Sequence, residues 1–294
     1  MDPQLAEFQT HLLLERSLSE NTVSAYMRDL QKLHVFCTEQ GLAWVDVTAD
    51  HLHLFLQELN HQSYAPKSQA RMVSSVKMFF KYLLVEEIRT TNPAKTLEPP
   101  KLPKHLPDFL EVEEIDAMLA TIDRSTPSGR RDYVVLESLY GLGLRVSELI
   151  HLHVSDLELE ESFVRVIGKG NKQRLVPIAP HTANLLKAYI ADDRNAVCQG
   201  IPEDDTVFLN RFGRHLSRVY IFKLVQRYSE LAGIKKKVSP HTFRHSFATH
   251  LVHGGADLRS VQEMLGHESI TTTEIYTHLD RDYLKSIMQH HPRN

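Results

Sequence analysis

The chain is long enough for two domains, and its charge is nearly balanced. It has 294 residues, of which 42% are hydrophobic, and 34 lysines and arginines stand against 37 acidic residues for a formal net charge of -3. This balance is typical of ordinary globular domains and excludes a uniformly basic nucleic-acid-binding protein. The two cysteines, Cys37 and Cys198, form no C-x-x-C pair, so neither a zinc ribbon nor a disulfide framework is indicated. With no signal-peptide pattern and no long apolar run, the sequence predicts a cytoplasmic protein.

Four helices are predicted in the N-terminal part. They begin at or just after Asp2, Ser19, Thr48 and Pro66, which are residue types that cap or open helices. No strand pattern occurs between them. We therefore expect a helical N-terminal domain over residues 1–91.

The fourth of these helices has a basic outward face. No acidic residue occurs from Leu59 to Val85, and an apolar stripe lies opposite the basic positions on a helical wheel. The basic positions are Lys67, Arg71, Lys77 and Lys81. This face is a candidate contact for DNA phosphates or a major groove. A solvated lysine face is the alternative.

A proline-rich segment follows the helical part. Residues 92–107 include Pro93, Pro99, Pro100, Pro103 and Pro107. Because proline interrupts helices and central strands, we predict an extended, semi-rigid linker here. The second domain then spans residues 108–294.

The second domain is predicted to be mostly helical with one small antiparallel sheet, so the fold class is mainly α with two domains. Two β-rich runs, Phe163–Ile167 and Gln173–Pro177, flank a glycine-rich turn that contains Lys169. Thr206–Leu209 is a candidate third strand. The predicted helices cover residues 112–122, 131–140, 145–151, 181–196, 217–232, 240–253 and 258–265.

One predicted helix start carries two groups that can bind a phosphate. Ser239 and Pro240 are typical of an N-cap and a first helical residue, so His241 and Arg244 share one face of the first turn. The helix dipole and the unpaired N–H groups attract anions there. An arginine adds a two-pronged contact to phosphate oxygens.

A second arginine stands at another predicted helix start. Arg145 follows a Gly-Leu-Gly-Leu run, and Glu148 lies one turn further on, where it can orient the guanidinium. A surface ion pair is the alternative for these two residues. Taken alone, Lys169 is more typical of a solvated lysine, and His267 is more typical of a helix cap or a packing residue. Tyr276 taken alone is more typical of a core residue of an amphipathic helix.

A metal site is the other chemistry that the histidines allow. His241 and His245 have the spacing of a zinc-protease helix, but Thr242 stands where such a helix has its glutamate base, and no third ligand follows at the expected spacing. We therefore predict no metal site.

Taken together and in order, six residues resemble the active-site set of the tyrosine recombinases. They lie in the strings GLGLRVSEL, VIGKGNK, SPHTFRHSFATH, LGH and IYTH. The six are Arg145, Lys169, His241, Arg244, His267 and Tyr276. The N-terminal helices resemble the four-helix, SAM-like core-binding domain of the same family, so the resemblance covers the whole chain. It is greatest to the bacterial Xer subgroup.

The resemblance implies cleavage and rejoining of DNA without metal, ATP or another cofactor. Tyr276 would attack the scissile phosphate and form a 3'-phosphotyrosyl link, which releases a 5'-hydroxyl. Lys169 would protonate the departing oxygen, and His241 would assist proton transfer at the nucleophile.

The remaining three residues of the set would act on the phosphate itself. Arg145 and Arg244 would stabilise charge in the transition state, and His267 would donate a hydrogen bond to a non-bridging oxygen.

Three alternative functions stay open. A type IB topoisomerase would use the same chemistry, and a mobile-element integrase would be another recombinase of the same kind. An architectural DNA-binding protein is the non-enzymatic alternative.

The C-terminal tail and the partners complete the expectations. Leu284, Ile287 and Met288 form an apolar stripe within residues 281–290, which docks either on a neighbouring protomer or back on its own domain. The resemblance implies docking in trans within a tetramer on two DNA duplexes. It also implies three partners at chromosome-dimer junctions in the nucleoid: double-stranded DNA, a XerC-like recombinase and an FtsK-type DNA translocase.

Overall fold

Helices dominate both halves of the chain. The computed structural model describes residues 2–16, 18–101, 108–168, 172–198, 205–266 and 278–294. They divide into two units, residues 1–105 and 106–294, and each unit has its own hydrophobic core. A small antiparallel sheet occurs in the second unit, and the mainly α fold class is confirmed. Within these ranges, no helix is long and apolar enough to span a bilayer.

Four helices form the N-terminal unit. They are α1 (Pro3–Leu14), α2 (Glu20–Glu39), α3 (Ala49–His61) and α4 (Pro66–Val85). The Asp2 carboxylate accepts a hydrogen bond from the Leu5 amide at 3.1 Å and another from the Trp44 indole at 3.0 Å. The N-cap of α1 therefore also fixes the segment between α2 and α3.

Helix α4 contributes the centre of this core, as its predicted apolar stripe requires. Phe79 and Phe80 are fully buried, and the Trp44 ring packs edge-on against Phe79 with centroids 4.9 Å apart. Lys67 and Lys81 are exposed on the same helix, and Lys77 is half-buried. The amphipathic helix is therefore present, while its contact with DNA stays a prediction.

The start of the predicted linker differs from an extended spacer. Ala94 and Leu97 are buried in the N-terminal core, and the Asn92 side chain accepts a hydrogen bond from the Ala94 amide at 2.9 Å. The two apolar side chains between the prolines make this turn fold onto its own unit. Residues 102–107 lie outside the described ranges, so the linker bounds stay a prediction.

The helices of the second unit follow the predicted order. They are α5 (Val112–Ala120), α6 (Pro127–Gly141), α7 (Val146–Ile150), α8 (Pro180–Tyr189), α9 (Asn195–Cys198), α10 (Arg218–Leu231), α11 (Pro240–His253), α12 (Leu258–Leu265) and α13 (His278–Met288). A π-helical turn at Ile190–Arg194 joins α8 to α9. Helix α6 begins earlier than predicted because the Thr126 hydroxyl caps it, accepting from the Gly129 amide at 3.1 Å.

The predicted hairpin forms with the predicted bounds. Strands β2 (Phe163–Ile167) and β3 (Gln173–Pro177) pair antiparallel, and the two-residue β1 (Leu157–Glu158) adds to the outer edge of β2. The prediction of a strand at Thr206–Leu209 is wrong. Within the part of the chain that the structure describes, that run makes only isolated bridges, Thr206 with His153 and Leu209 with His215, and no described strand continues either bridge.

The C-terminal tail packs on its own domain in this structure. Leu284, Ile287 and Met288 are buried in the core of the second unit. His291 is also buried, and its ring lies 4.7 Å from that of Tyr140, measured between centroids. Burial lowers the pKa of His291 to about 3. The stripe is thus as apolar as predicted, but the described contacts are with its own domain, and docking in trans stays a prediction.

The end of the tail carries a buried ion pair. Arg293 Nε donates to Glu137 Oε1 at 2.8 Å, and Arg293 Nη2 donates to Asp116. The Glu137 side chain is 1% exposed, and burial raises its pKa although Arg293 opposes this. The guanidinium therefore compensates a carboxylate that water does not reach.

We expect Arg293→Ala to lower the free energy of unfolding of the second unit by about 3–5 kcal/mol, because it leaves Glu137 buried and unpaired. The measurement is urea denaturation followed by circular dichroism. Lys187→Ala is the matched control, since its pair with Glu160 is exposed, and it should change stability little. Fluorescence of Trp44, the one tryptophan of the sequence, reports the other unit and should show an unchanged transition. Equal, small effects of both substitutions would contradict the structural role of the pair.

Candidate active site

Three of the six predicted catalytic residues lie in the described part of the chain. Arg145 is the N-cap residue of α7, and His241 and Arg244 lie in the first turn of α11. The other three, Lys169, His267 and Tyr276, lie outside the described residues. The roles of all six stay predictions, but the surroundings of the two arginines are now defined.

The start of α11 is fixed by a reciprocal cap. The Ser239 hydroxyl accepts a hydrogen bond from the Thr242 amide at 3.4 Å, and the Thr242 hydroxyl accepts one from the Ser239 amide at 3.0 Å. His241 is exposed on this turn, whereas Arg244 is 4% exposed. One helical turn therefore offers a solvent-accessible imidazole and a buried guanidinium.

The glycine run before Arg145 is required by close packing against α11. Gly143 has a φ of 58°, and a Cβ at this position would lie 2.4 Å from the Phe247 ring. Only glycine fits this combination of backbone conformation and contact. Arg244 Nη1 donates to the Gly143 carbonyl at 2.8 Å. Gly143 thus brings the start of α7 against the helix that carries Arg244.

The carboxylate of Glu148 holds two arginines at once and lies near a third. Its Oε1 accepts from Arg145 Nη1 and Arg174 Nη1, both at 2.8 Å, and its Oε2 accepts from Arg174 Nη2 and the Arg145 backbone amide, also at 2.8 Å. Arg244 Nη1 lies 3.7 Å from Oε2. The predicted pairing of Arg145 with Glu148 is present, and because the Glu148 side chain is 2% exposed it is not a surface ion pair.

The C-terminal end of α12 supplies further acceptors. Three successive carbonyls each accept a hydrogen bond from a different arginine. The pairs are Arg174 Nε with Met264 at 3.0 Å, Arg244 Nη2 with Leu265, and Arg145 Nη2 with Gly266 at 3.1 Å. Such carbonyls lack partners within the helix and form the negative end of its dipole. Gly266 ends α12 in the left-handed conformation, at a φ of 68°.

This arginine cluster, defined as Arg145, Arg174 and Arg244 around Glu148, carries excess positive charge. Burial raises the pKa of Glu148, but hydrogen bonds and charge from Arg174 and Arg145 outweigh this and bring it to about 2. Burial and the charges of Arg145 and Arg174 lower the pKa of Arg244 to about 9, against the opposing effect of Glu148. Among the described residues, Glu148 is the only carboxylate paired with these three guanidiniums. The cluster is therefore suited to an anionic ligand.

Arg174 was not predicted from the sequence. It stands in β3 between Gln173 and Leu175, and its side chain is 8% exposed. The available signal is weak: a long basic residue in a strand whose last four residues are all buried. Its partners come from α7 and α12, so that only the tertiary structure identifies them.

A second basic surface was also missed. Between residues 206 and 229 there is no acidic residue, although five arginines and lysines occur there: Arg211, Arg214, Arg218, Lys223 and Arg227. All five are exposed. Phe212 and Phe222, with 64% and 41% of their surfaces accessible, lie among them. The charge pattern that identifies the basic face of α4 is present in this stretch as well.

Of the four basic residues predicted to bind DNA, Arg71 has a strong internal partner. Its Nε and Nη2 donate to the two carboxylate oxygens of Asp29 at 2.8 and 2.9 Å, and Asp29 is 1% exposed. The hydrogen bond to Asp29 raises the pKa of Arg71. This guanidinium therefore compensates a buried charge of its own unit, which the charge pattern of α4 does not reveal.

The lowered pKa of Glu148 predicts a specific dependence of stability on pH. Because its folded-state pKa is about 2, below the ordinary value of 4.5, Glu148 stabilises the fold above the ordinary value and loses this contribution as the pH falls. The contribution is about 3 kcal/mol near neutral pH, and about 2 kcal/mol of it should disappear between about pH 5 and pH 3.

Urea denaturation across this range should therefore show a shallower pH dependence for Glu148→Gln than for the wild type. Glu161→Gln, which changes an exposed carboxylate, should keep the wild-type slope. If Glu148→Gln keeps it as well, Glu148 is not the buried acceptor that the geometry describes.

Both units of the chain are similar to known proteins. The profile of the phage integrase family matches residues 108–282, and that of the phage integrase N-terminal SAM-like domain matches residues 5–87. Tyrosine recombinase XerD of Chlorobaculum tepidum is 42% identical over 293 residues, which are 98% of this chain and 96% of that protein. Tyrosine recombinase XerD of Proteus mirabilis is 42% identical over 294 residues, 99% of this chain and 94% of that protein.

A solved structure shares the fold as well as part of the sequence. The crystal structure of XerH site-specific recombinase bound to a palindromic difH substrate, a post-cleavage complex, is 26% identical, with a TM-score of 0.72 over 92% of this chain and 80% of that one. The family match covers more than half of the chain, and the relatives cover nearly all of it. The chain therefore belongs to the phage integrase family of tyrosine recombinases and is a site-specific DNA recombinase.

Proposed function

We propose that this recombinase exchanges DNA strands through a covalent link to Tyr276 and resolves chromosome dimers at cell division together with a XerC-like recombinase. The observation that carries the chemical part is the arginine cluster, in which three guanidiniums share one buried carboxylate. The cellular role rests on the similarity of nearly the whole chain to the XerD relatives.

The scissile phosphate would approach the cluster from the side of Arg145. The Arg145 side chain is 36% exposed, whereas those of Arg174 and Arg244 are 8% and 5% exposed. Arg145 Nη1 and Nη2 each make one described hydrogen bond, and a guanidinium carries five N–H groups. N–H groups of Arg145 are therefore left to bind the non-bridging oxygens. Arg244, which is more deeply buried, and His267 would be further donors.

The proposed reaction is a transesterification at phosphorus. The Tyr276 oxygen bonds to the phosphorus as the bond to the 5'-oxygen breaks, and His241 accepts the phenolic proton while Lys169 supplies one to the leaving oxygen. The cluster stabilises the charge that develops on the non-bridging oxygens. Because one phosphate ester replaces another, the reaction needs no ATP, and reversal by a 5'-hydroxyl from the partner duplex completes the exchange.

Two basic surfaces are proposed to hold the duplex. In the N-terminal unit the surface consists of Lys67, Lys77 and Lys81 on α4. Arg71 is not part of it, because it pairs with Asp29. In the second unit the surface consists of the exposed basic residues between Arg211 and Arg227. Phosphate contacts of this kind position the protein without reading sequence, so a chain of slightly negative net charge still binds DNA through local surfaces.

The partners follow from the same proposal. Strand exchange needs four protomers on two duplexes, so the complex would contain two copies of this chain and two of a XerC-like recombinase, with tails docked between neighbours. An FtsK-type translocase would bring the sites together, which places the reaction in the nucleoid.

A trapping assay tests the chemistry directly. We expect the wild type to form an SDS-resistant adduct with a duplex that carries a nick near the scissile phosphate, and Tyr276→Phe to form none, because the phenolic oxygen is the nucleophile. The adduct should form equally in EDTA. Tyr283→Phe is the matched control, because it removes a different phenol, one on α13, and should still form the adduct.

An adduct with Tyr276→Phe would overturn the assignment of the nucleophile. Relaxation of supercoiled plasmid that lacks a recombination site would instead favour a topoisomerase.

The salt dependence of binding tests the surface on α4. We expect replacement of Lys67, Lys77 and Lys81 by alanine to reduce the slope of log K against log salt by about 2 to 3, since each neutralised phosphate contributes about 0.9. Lys187→Ala should leave the slope unchanged. Arg71→Ala should instead lower the stability of the N-terminal unit, because Asp29 stays buried. An unchanged slope in the triple variant would remove α4 from the DNA interface.

A further inference from the structure

Arg174 and Arg244 are the two most buried arginines of the arginine cluster. All three side-chain nitrogens of Arg174 donate hydrogen bonds. Nη1 and Nη2 donate to the two oxygens of Glu148 at 2.8 Å each, and Nε donates to the Met264 carbonyl at 3.0 Å. Its side chain is 8% exposed. A guanidinium held in this way has little freedom to turn toward a phosphate, which distinguishes it from Arg145.

The contacts of Arg174 join three segments that meet at the site. It is part of β3, it pairs with Glu148 on α7, and it binds the last turn of α12. A Cβ added to Gly266 would lie 3.3 Å from Arg174 Cδ, and one added to Gly168 would lie 3.5 Å from Arg174 Nη1. The contact at Gly266 is tighter than ordinary van der Waals contact, so the glycine there leaves room for this side chain, whereas a Cβ at position 168 would make an ordinary contact.

We propose that Arg174 is a positioning residue for DNA cleavage, one that acts through Glu148 on Arg145. The proposal rests on the proposed function of Arg145 as a phosphate ligand. Arg174 donates to both oxygens of Glu148, so that the Arg145 guanidinium donates only one hydrogen bond to this carboxylate. Arg145 is thereby oriented without being neutralised, and its remaining N–H groups stay available to the phosphate.

Without Arg174, Glu148 would be a buried carboxylate with half of its hydrogen bonds lost. Arg145 is the nearest group that can supply them, and a two-pronged pair with Glu148 would draw its guanidinium away from the phosphate. A lysine at position 174 keeps the charge but donates from a single point, so it cannot bind both carboxylate oxygens in parallel and the Met264 carbonyl as well.

Single-turnover cleavage of a saturating, nicked duplex measures the effect. We expect Arg174→Gln to reduce the cleavage rate constant by about 10²-fold, as small displacements of a positioning group do. DNA affinity should stay within about threefold, because the phosphate contacts outside the site are intact. Arg174→Lys should recover the thermal midpoint relative to Arg174→Gln and still cleave at least about tenfold more slowly than the wild type.

A double-substitution cycle with Arg145→Ala separates positioning from a general loss of structure. If Arg174 acts through Arg145, adding Arg174→Gln to Arg145→Ala lowers the rate by less than about threefold more. Arg194→Gln is the matched control: this buried arginine donates to the Thr206 carbonyl at 2.9 Å, and its loss should lower stability without slowing cleavage by folded protein. Full additivity of Arg174→Gln with Arg145→Ala, or full recovery of the rate by Arg174→Lys, overturns the proposal.

A crystal structure of Arg174→Gln without DNA gives a readout that does not depend on activity. We expect the Arg145 guanidinium to leave the Gly266 carbonyl and to pair with both oxygens of Glu148. If Arg145 keeps its wild-type position, the proposal is wrong whether or not the protein cleaves DNA. If the wild type forms no adduct while this displacement is seen, the proposed chemistry fails, and only the orientation of Arg145 by Arg174 through Glu148 stands.

Discussion

The proposed active-site region depends on one buried carboxylate. Glu148 accepts four hydrogen bonds from Arg145 and Arg174, and Arg244 lies 3.7 Å away. A buried ion is stable only when its hydrogen bonds are satisfied, and here the bonds come from α7 and β3, with α11 close by. The same interaction therefore assembles the fold at this point and leaves a local excess of positive charge, which suits an anionic ligand.

The end of α12 has a matching role. Its last carbonyls would otherwise be unsatisfied, and each of three accepts from a different arginine of the cluster. The arginines are thus held between a carboxylate and the negative end of a helix dipole. Such an arrangement fixes their directions before any substrate binds, which is the condition for effective electrostatic stabilisation of a transition state.

Local signals in the sequence predicted those features that local interactions decide. The hairpin of β2 and β3 follows from two β-rich runs around a short glycine turn, and α11 follows from Ser239 and Pro240. The run Thr206–Leu209 has the same composition as a strand but lacks a neighbour to pair with. Arg71 and Arg174 show the limit more sharply, because each is explained by a buried carboxylate that is distant in sequence, Asp29 or Glu148. The apolar stripe of the tail was visible, whereas its place in the core of its own unit depends on surfaces formed by other helices.

The central claim is that Arg145 and Arg244 form the phosphate site, and that Arg174 holds the carboxylate of Glu148, which orients Arg145. A crystal structure of the protein with a duplex site and orthovanadate in place of the scissile phosphate tests it most directly. The account predicts the vanadate within hydrogen-bonding distance of Arg145 and Arg244, with the pair of Arg174 and Glu148 unbroken. A vanadate bound elsewhere, or an Arg174 that has left Glu148 to contact it, would contradict the account.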